Sequence, residues 1–150
     1  MLLDHINLMQ YQELLQFKTE EGKRFIFDPI RKKYLVFQPE ELVRQLILQY
    51  LLLEKHYPGA KIALEVGLNI NDMQKRCDIL IYDNTFMPFM IVECKAPKVP
   101  ISEAVFLQIA TYNLALKVPY LVVSNGIRTY CSRIDHEKES FEFLNDIPNP

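Results

Sequence analysis

Between Phe89 and Ala96 the chain reads Phe-Met-Ile-Val-Glu-Cys-Lys-Ala, an apolar strand-type run that ends in a carboxylate and an ammonium two residues apart. Successive side chains of a strand alternate between faces, so Glu93 and Lys95 point one way while Val92 and Cys94 point the other. Charges are rarely placed at the end of a core strand unless they are paired or hold a metal ion. Two explanations stand at this point: a functional pair, or a Glu93–Lys95 surface ion pair on an edge strand, which contributes little. A second acid, Asp78, follows Arg76 and Cys77 one short segment upstream.

The flanking sequence supplies the rest of a sheet. From Lys61 to Ile70 the residues alternate, and the pattern predicts Ile62, Leu64, Val66, Leu68 and Ile70 on one face of a half-buried strand. Asn71–Gln74 reads as a turn, 77–82 as a strand, and Asp83–Thr85 as the turn into the strand that ends in Glu93 and Lys95. Three strands joined by short turns make an antiparallel meander. Asp78 then lies beside the end of the next strand, close to both charges.

Two helices bracket this meander. The first should begin near Pro39, whose fixed φ suits the first helical position, with Glu40 and Glu41 where the helix dipole favours acids. Leu42, Val43, Leu46, Ile47, Tyr50 and Leu51 recur at helical spacing, and Pro58-Gly59 stops the run. Glu40 lies four residues before Arg44, so it reads either as half of an intrahelical pair or as an acid reaching the site. The second helix should run from the N-cap Ser102 to about Lys117. Gln108 and Tyr112 share a face of it, as site groups or as polar residues at a buried margin. A buried strand over Tyr120–Ser124, a turn at Asn125-Gly126, a return strand and an edge strand near Phe141–Leu144 complete the chain.

With 150 residues, 49% of them hydrophobic, one domain with a real core is expected. Residues 1–33 read as a lead-in packed on a body spanning 34–150. At the end of that lead-in, Arg31, Lys32 and Lys33 form a basic cluster that is either a solvated loop or a phosphate contact. A net charge of −2 excludes nucleic-acid attraction by bulk charge, so any such site must be local. Cys77, Cys94 and Cys131 lack disulfide or zinc spacing and read as buried free thiols in a reducing compartment. The scattered His5, His56 and His136 read as surface or structural. No run is long and apolar enough to span a bilayer, and Met1–His5 lacks a secretory signature, so the expected address is the cytoplasm.

Asp78 followed by Glu93-Cys94-Lys95, after an acid-bearing helix, resembles the PD-(D/E)xK nuclease core. The stretch from about Phe27 to Tyr130 resembles, within that superfamily, the N-terminal nuclease domain of type I restriction enzyme R subunits. The resembling segments are Phe27-Asp28-Pro29 with Arg31, Pro39–Arg44, Arg76–Ile79, Ile91–Pro97, Gln108 with Tyr112-Asn113, and Ser124-Asn125-Gly126. Cys77 stands where the motif has proline. No G-x-x-x-x-G-K-[ST] phosphate loop occurs in this sequence, so ATP-driven translocation is not expected of it.

The resemblance implies an α/β fold with a mixed, restriction-endonuclease-like sheet and a metal-dependent DNA endonuclease that uses Mg2+ or Mn2+. It implies Asp78, Glu93 and Glu40 as metal ligands, with Glu41 the alternative if the helix is rotated. Lys95 would orient or deprotonate the attacking water, and Gln108 and Tyr112 would support the site. Arg31, Lys32, Lys33, Lys75, Arg76 and Lys98 are the candidate phosphate contacts. DNA is the expected partner, with a homodimer or a separate motor or specificity subunit compatible with the reading. The alternative is a non-catalytic nucleic-acid-binding or interaction module that keeps the fold while a partner supplies activity.

Overall fold

The meander expected around Glu93 lies inside a six-stranded mixed sheet. The computed structural model describes residues 6–70 and 72–150, leaving out also the side chains of Ile70, Met73 and Lys75. The readings made at Met1–His5 and Asn71 lie outside the described residues. Strands β1 (Phe17–Glu20), β2 (Lys23–Asp28) and β3 (Lys33–Val36) form a small antiparallel sheet, so the expected boundary at Tyr34 falls inside β3. Helix α1 (Pro39–Gln49) leads to β4 (Ile62–Ile70), β5 (Met73–Tyr82) and β6 (Pro88–Cys94). Helix α2 (Glu103–Asn113) then leads to β7 (Tyr120–Ser124), β8 (Thr129–Asp135) and β9 (Ser140–Leu144). The large sheet has the order β4-β5-β6-β7-β8-β9, and β6 and β7 are its parallel pair. A parallel pair needs a crossover, which α2 provides.

Alternation along β6 divides the interior into two cores. Met90, Val92 and Cys94 pack with Val43, Leu46, Ile47 and Leu51 of α1 and the turn after it. Ile91 packs on the other face with Phe106 and Ala110 of α2. The expected opposition of Val92 and Cys94 to Glu93 and Lys95 follows from the same alternation. Helix α1 is enclosed on all sides, every residue from Val43 to Leu48 being buried. It starts at Pro39 and widens after Gln49 into a π-helical turn over Tyr50–Glu54.

One expectation fails in β4. Ile62 and Leu64 pack in the α1 core, but Val66 and Leu68 pack in the α2 core, so these residues do not share one face. The cause is Glu65, which takes a left-handed φ of 49° in mid-strand and turns the following residues over. Its cross-strand neighbours turn with it: Ile79 belongs to the first core and Cys77 to the second, although both stay in register with β4. This twist is what brings Glu65 and Asp78 to the α1 side of the sheet.

The Asn125-Gly126 turn closes β7 onto β8 as expected. Asn125 accepts from the backbone N–H groups of Ile127 and Arg128 through Oδ1, at 3.0 and 2.8 Å. Gly126 has φ 89°, a conformation that favours glycine, and a Cβ there would press on Met9 Sδ at 3.3 Å.

All three cysteines are free and buried, as read from the sequence. Burial pushes the Cys131 thiol up to about 12, with the nearby Asp146 charge adding to it. Burial first, and then the Asp78 carboxylate, pushes Cys94 well above the usual thiol range. A thiol is reactive only as thiolate. Folded protein at pH 8 should therefore leave Ellman's reagent essentially untouched over minutes, and guanidinium should release three equivalents. Rapid labelling of one native thiol would contradict the burial described.

Candidate active site

Asp78 is set by the β5–β6 pairing. Ile79 stands opposite Val92, which places the preceding residue at the terminus of β6. Asp78 Oδ2 accepts a hydrogen bond from the backbone N–H of Cys94 at 2.7 Å, fastening this carboxylate to the residue between Glu93 and Lys95. The backbone N–H of Lys95 donates to Ser124 O at 2.8 Å, which carries the parallel ladder one residue past β6 and fixes the root of the lysine. The Asp78 carboxylate therefore lies against the backbone between Glu93 and Lys95, at the end of β6.

Glu93 and Lys95 face α2. They line a depression of about 360 Å³ together with Gln108, Tyr112, Val105, Ile109 and Asn113. Gln108 and Tyr112 reach it from one helix face, as their spacing predicts, and Tyr112 is half exposed. Asn113 is buried, donates to Ile109 O at 2.8 Å, and keeps its Oδ1 without a hydrogen-bond partner among the described residues. The depression thus combines a buried carboxylate, an ammonium, an amide and a phenol.

The α1 side contributes a denser charge network. Glu41, not Glu40, is the helix acid that turns inward: Glu41 is 9% exposed, whereas Glu40 is exposed to solvent. Arg44 Nη1 donates to Glu41 Oε1 at 2.6 Å, so the arginine pairs one turn back with Glu41 rather than with Glu40 as first read. Arg44 Nη2 lies 3.4 Å from Asp78 Oδ1 and 3.6 Å from Glu65 Oε1. Gln45 donates to both Glu41 and Asp28 at 3.0 Å. Glu65 and Gln45 were missed from the sequence. Glu41, Arg44, Gln45 and Leu48 fall at i, i+3, i+4 and i+7, a signal that could have fixed the rotation of the helix.

Arg31 belongs to this network and not to a phosphate-binding surface. It donates to Asp28 Oδ2 through Nε at 2.8 Å and to Glu65 Oε2 at 2.6 Å, and lies 3.6 Å from Glu41. Asp28 is fully buried and also accepts from the backbone N–H groups of Ile30 and Arg31, both at 2.8 Å. The Asp-Pro-x-Arg segment is a turn that anchors the small sheet to the site. The other candidate DNA contacts stand apart: Lys32, Lys33, Arg76 and Lys98 are exposed. Lys75 lies outside the described side chains.

Burial first, and then the Asp78, Glu93 and Glu41 charges, raise the Cys94 thiol, while Arg44 opposes the acids. The hydrogen bond from Arg31 holds the Glu65 carboxyl below the usual carboxylate range, with Arg44 adding to it. Among the described residues no three His, Cys, Asp or Glu side chains converge to enclose a metal ion. Mg2+ needs less, since one or two carboxylates suffice when water and a substrate phosphate fill the remaining octahedral positions. Asp78 and Glu93 are oxygen donors of that kind, and the donor set fits a hard divalent cation.

The chain has counterparts among known proteins. The family model described as "Type I restriction enzyme R protein N terminus" matches residues 39–148. No curated protein matches the chain. The fold is similar to a solved fragment assigned to the HsdR subunit of a type I restriction enzyme from Vibrio vulnificus YJ016, with a TM-score of 0.51 and 18% sequence identity. That similarity covers 75% of this chain and 24% of the fragment's chain, so the present chain spans about a quarter of its length. No helix among the described residues is long and apolar enough to cross a membrane. With the family model covering most of the chain, from α1 through β9, the protein belongs to the type I restriction enzyme R protein N-terminal family.

Proposed function

We propose that this domain is a metal-dependent DNA endonuclease that hydrolyses phosphodiester bonds with Mg2+ or Mn2+. The observation that carries the reading is the meeting of Glu93, Lys95, Gln108 and Tyr112 in one depression, with Asp78 hydrogen-bonded to the residue between the first two. Asp78 and Glu93 would hold the ion, and Glu41 replaces Glu40 as the helix acid that completes the shell through water. When bound, the ion supplies Lewis-acid polarisation of a phosphoryl oxygen and acidifies water. Lys95 brings a compact cation to the phosphate oxygens, where charge builds up in the transition state, and orients the attacking water. The Gln108 amide and the Tyr112 hydroxyl position the phosphate, and the apolar floor of Val105 and Ile109 limits water access. Lys32, Lys33, Lys75, Arg76 and Lys98 contact flanking phosphates without reading sequence. Motor and specificity functions of a type I restriction complex would come from other parts of the assembly.

The network around Arg44 favours a second reading, a non-catalytic nucleic-acid module. Arg31 and Arg44 already neutralise Glu41, Glu65 and part of Asp78. Divalent-metal binding separates the two. A ligand that binds only the folded state stabilises it, by about 2.7 kcal/mol at a hundredfold excess over Kd. Mn2+ should therefore raise the melting temperature of the wild type and leave Asp78→Asn unmoved. Asparagine keeps an oxygen to accept the Cys94 N–H, so its loss of response would reflect charge rather than misfolding. Equal responses of the two proteins would remove Asp78 from the metal shell.

A further inference from the structure

The small sheet carries a second surface, on the face turned away from α1. Within β1–β3 the register sets Lys18 opposite Phe25, Phe25 opposite Val36, and Phe27 opposite Tyr34. The alternate residues Ile26 and Asp28 are fully buried, so Phe25, Phe27, Tyr34 and Val36 share the outward face. None of these four belongs to either core. Tyr34 is 36% and Val36 54% exposed. The Phe27 and Tyr34 rings meet edge to face with centroids 5.2 Å apart. Lys18 Nζ sits 4.4 Å from the Tyr34 centroid and 5.7 Å from that of Phe25, while also reaching Glu20 at 3.1 Å.

Charge on this segment opposes that of the chain as a whole. Residues 17–36 hold six lysines and arginines against three acids, in a protein of net charge −2. Arg31 and Asp28 are spent on each other, and Arg24 turns to the Phe17 and Phe37 rings. Lys18 and Lys23 share the aromatic face and Lys32 stands in the turn at its edge, whereas Lys33, opposite Asp28, points to the other side; Glu20 and Glu21 are the acids beside them. Aromatic rings on a sheet, flanked by cations, form a platform on which unpaired bases stack while the phosphates follow the lysines. A duplex keeps its bases paired inside and cannot use the rings in this way. The matched family region begins at residue 39, after the small sheet ends.

We infer that the outward face of β1–β3 is a docking surface for single-stranded DNA, with Tyr34 and Phe27 as stacking rings and Lys18 and Lys23 as phosphate contacts. The inference deepens the nuclease reading by naming unpaired DNA as the form that is held, and it rests on that reading only in choosing DNA over RNA. The test is fluorescence anisotropy with a labelled 20-nucleotide oligo(dT) in EDTA, where no cleavage can interfere. Tyr34→Ala should weaken binding on the order of tenfold with an unchanged melting temperature, and Tyr34→Phe should bind like the wild type. A 20-base-pair duplex should be insensitive to Tyr34. Wild-type affinity in Tyr34→Ala, no oligo(dT) binding by the wild type, tighter binding of oligo(rU), or a Tyr34-dependent dimer in sedimentation would each overturn the inference. Because binding is read in EDTA and without turnover, a failure of the nuclease reading leaves this result unaffected.

Discussion

Replacing Arg44 by alanine is expected to cost about 3–5 kcal/mol of folding stability, the usual cost of removing one partner from a buried ion pair. Arg44 is 5% exposed, 2.6 Å from Glu41 and within 3.6 Å of Asp78 and Glu65. Without it, Glu41, Glu65 and Asp78 lose the cation they share, and Arg31 still reaches the first two. The loss should depend on pH. Arg31, and then Arg44, hold the Glu65 carboxyl below its usual value. A carboxylate lowered on folding contributes stability above its unfolded pKa, about 4.3, and loses it as pH falls through the folded value. Urea denaturation should therefore show the gap between wild type and Arg44→Ala at pH 7 and narrow it below about pH 4. Mn2+ should stabilise Arg44→Ala more than the wild type, because the ion then replaces a missing positive charge. A loss under 1 kcal/mol at pH 7 would mean that the network is solvated and contributes little.

Lys95→Ala should lower DNA nicking on the order of 10²–10³-fold, the effect of removing one group that stabilises transition-state charge. The melting temperature should stay within a degree or two, because the lysine root is held by its backbone hydrogen bond to Ser124 and not by its side chain. Mn2+ stabilisation should also survive, which separates Lys95 from the metal ligands. Activity within threefold of wild type would take Lys95 out of the chemistry.

Much of the fold was legible because local signals and tertiary demands agree. Pro39 opens α1, Ser102 caps α2 by accepting the Val105 N–H, and Asn125-Gly126 makes its turn where the backbone favours glycine. The small sheet was not read because β1 and β3 are only four residues long. In β2 the apolar run Phe25-Ile26-Phe27 hides its alternation, since one residue faces the core and its neighbours form the outer aromatic face. Glu21 and Gly22, both at positive φ, form the two-residue turn that would have revealed this hairpin. The left-handed Glu65 escapes any pattern argument, since alternation in β4 is perfect in sequence and broken in space.

At the site, the closeness of Asp78 to the end of β6 was legible because strand register brings neighbours in a meander together. The α1 acid was not: Glu40 and Glu41 both stand in the first turn, and only the polar stripe of Glu41, Arg44 and Gln45, joined by hydrogen bonds inside an otherwise apolar helix, tells them apart. Arg31 was assigned to DNA from its basic neighbours, but its partners Asp28 and Glu65 lie on separate strands.

The most direct test of a nuclease centre at Asp78, Glu93 and Lys95 is incubation of the purified protein with supercoiled plasmid in Mg2+, Mn2+ or EDTA, beside Lys95→Ala and Asp78→Asn. The proposed site predicts open-circular product with either metal, none with EDTA and strong loss in both variants. Intact plasmid in every lane, with single-stranded and branched DNA equally untouched while Mn2+ still stabilises the wild type, would contradict catalysis and leave a binding module that keeps the nuclease fold.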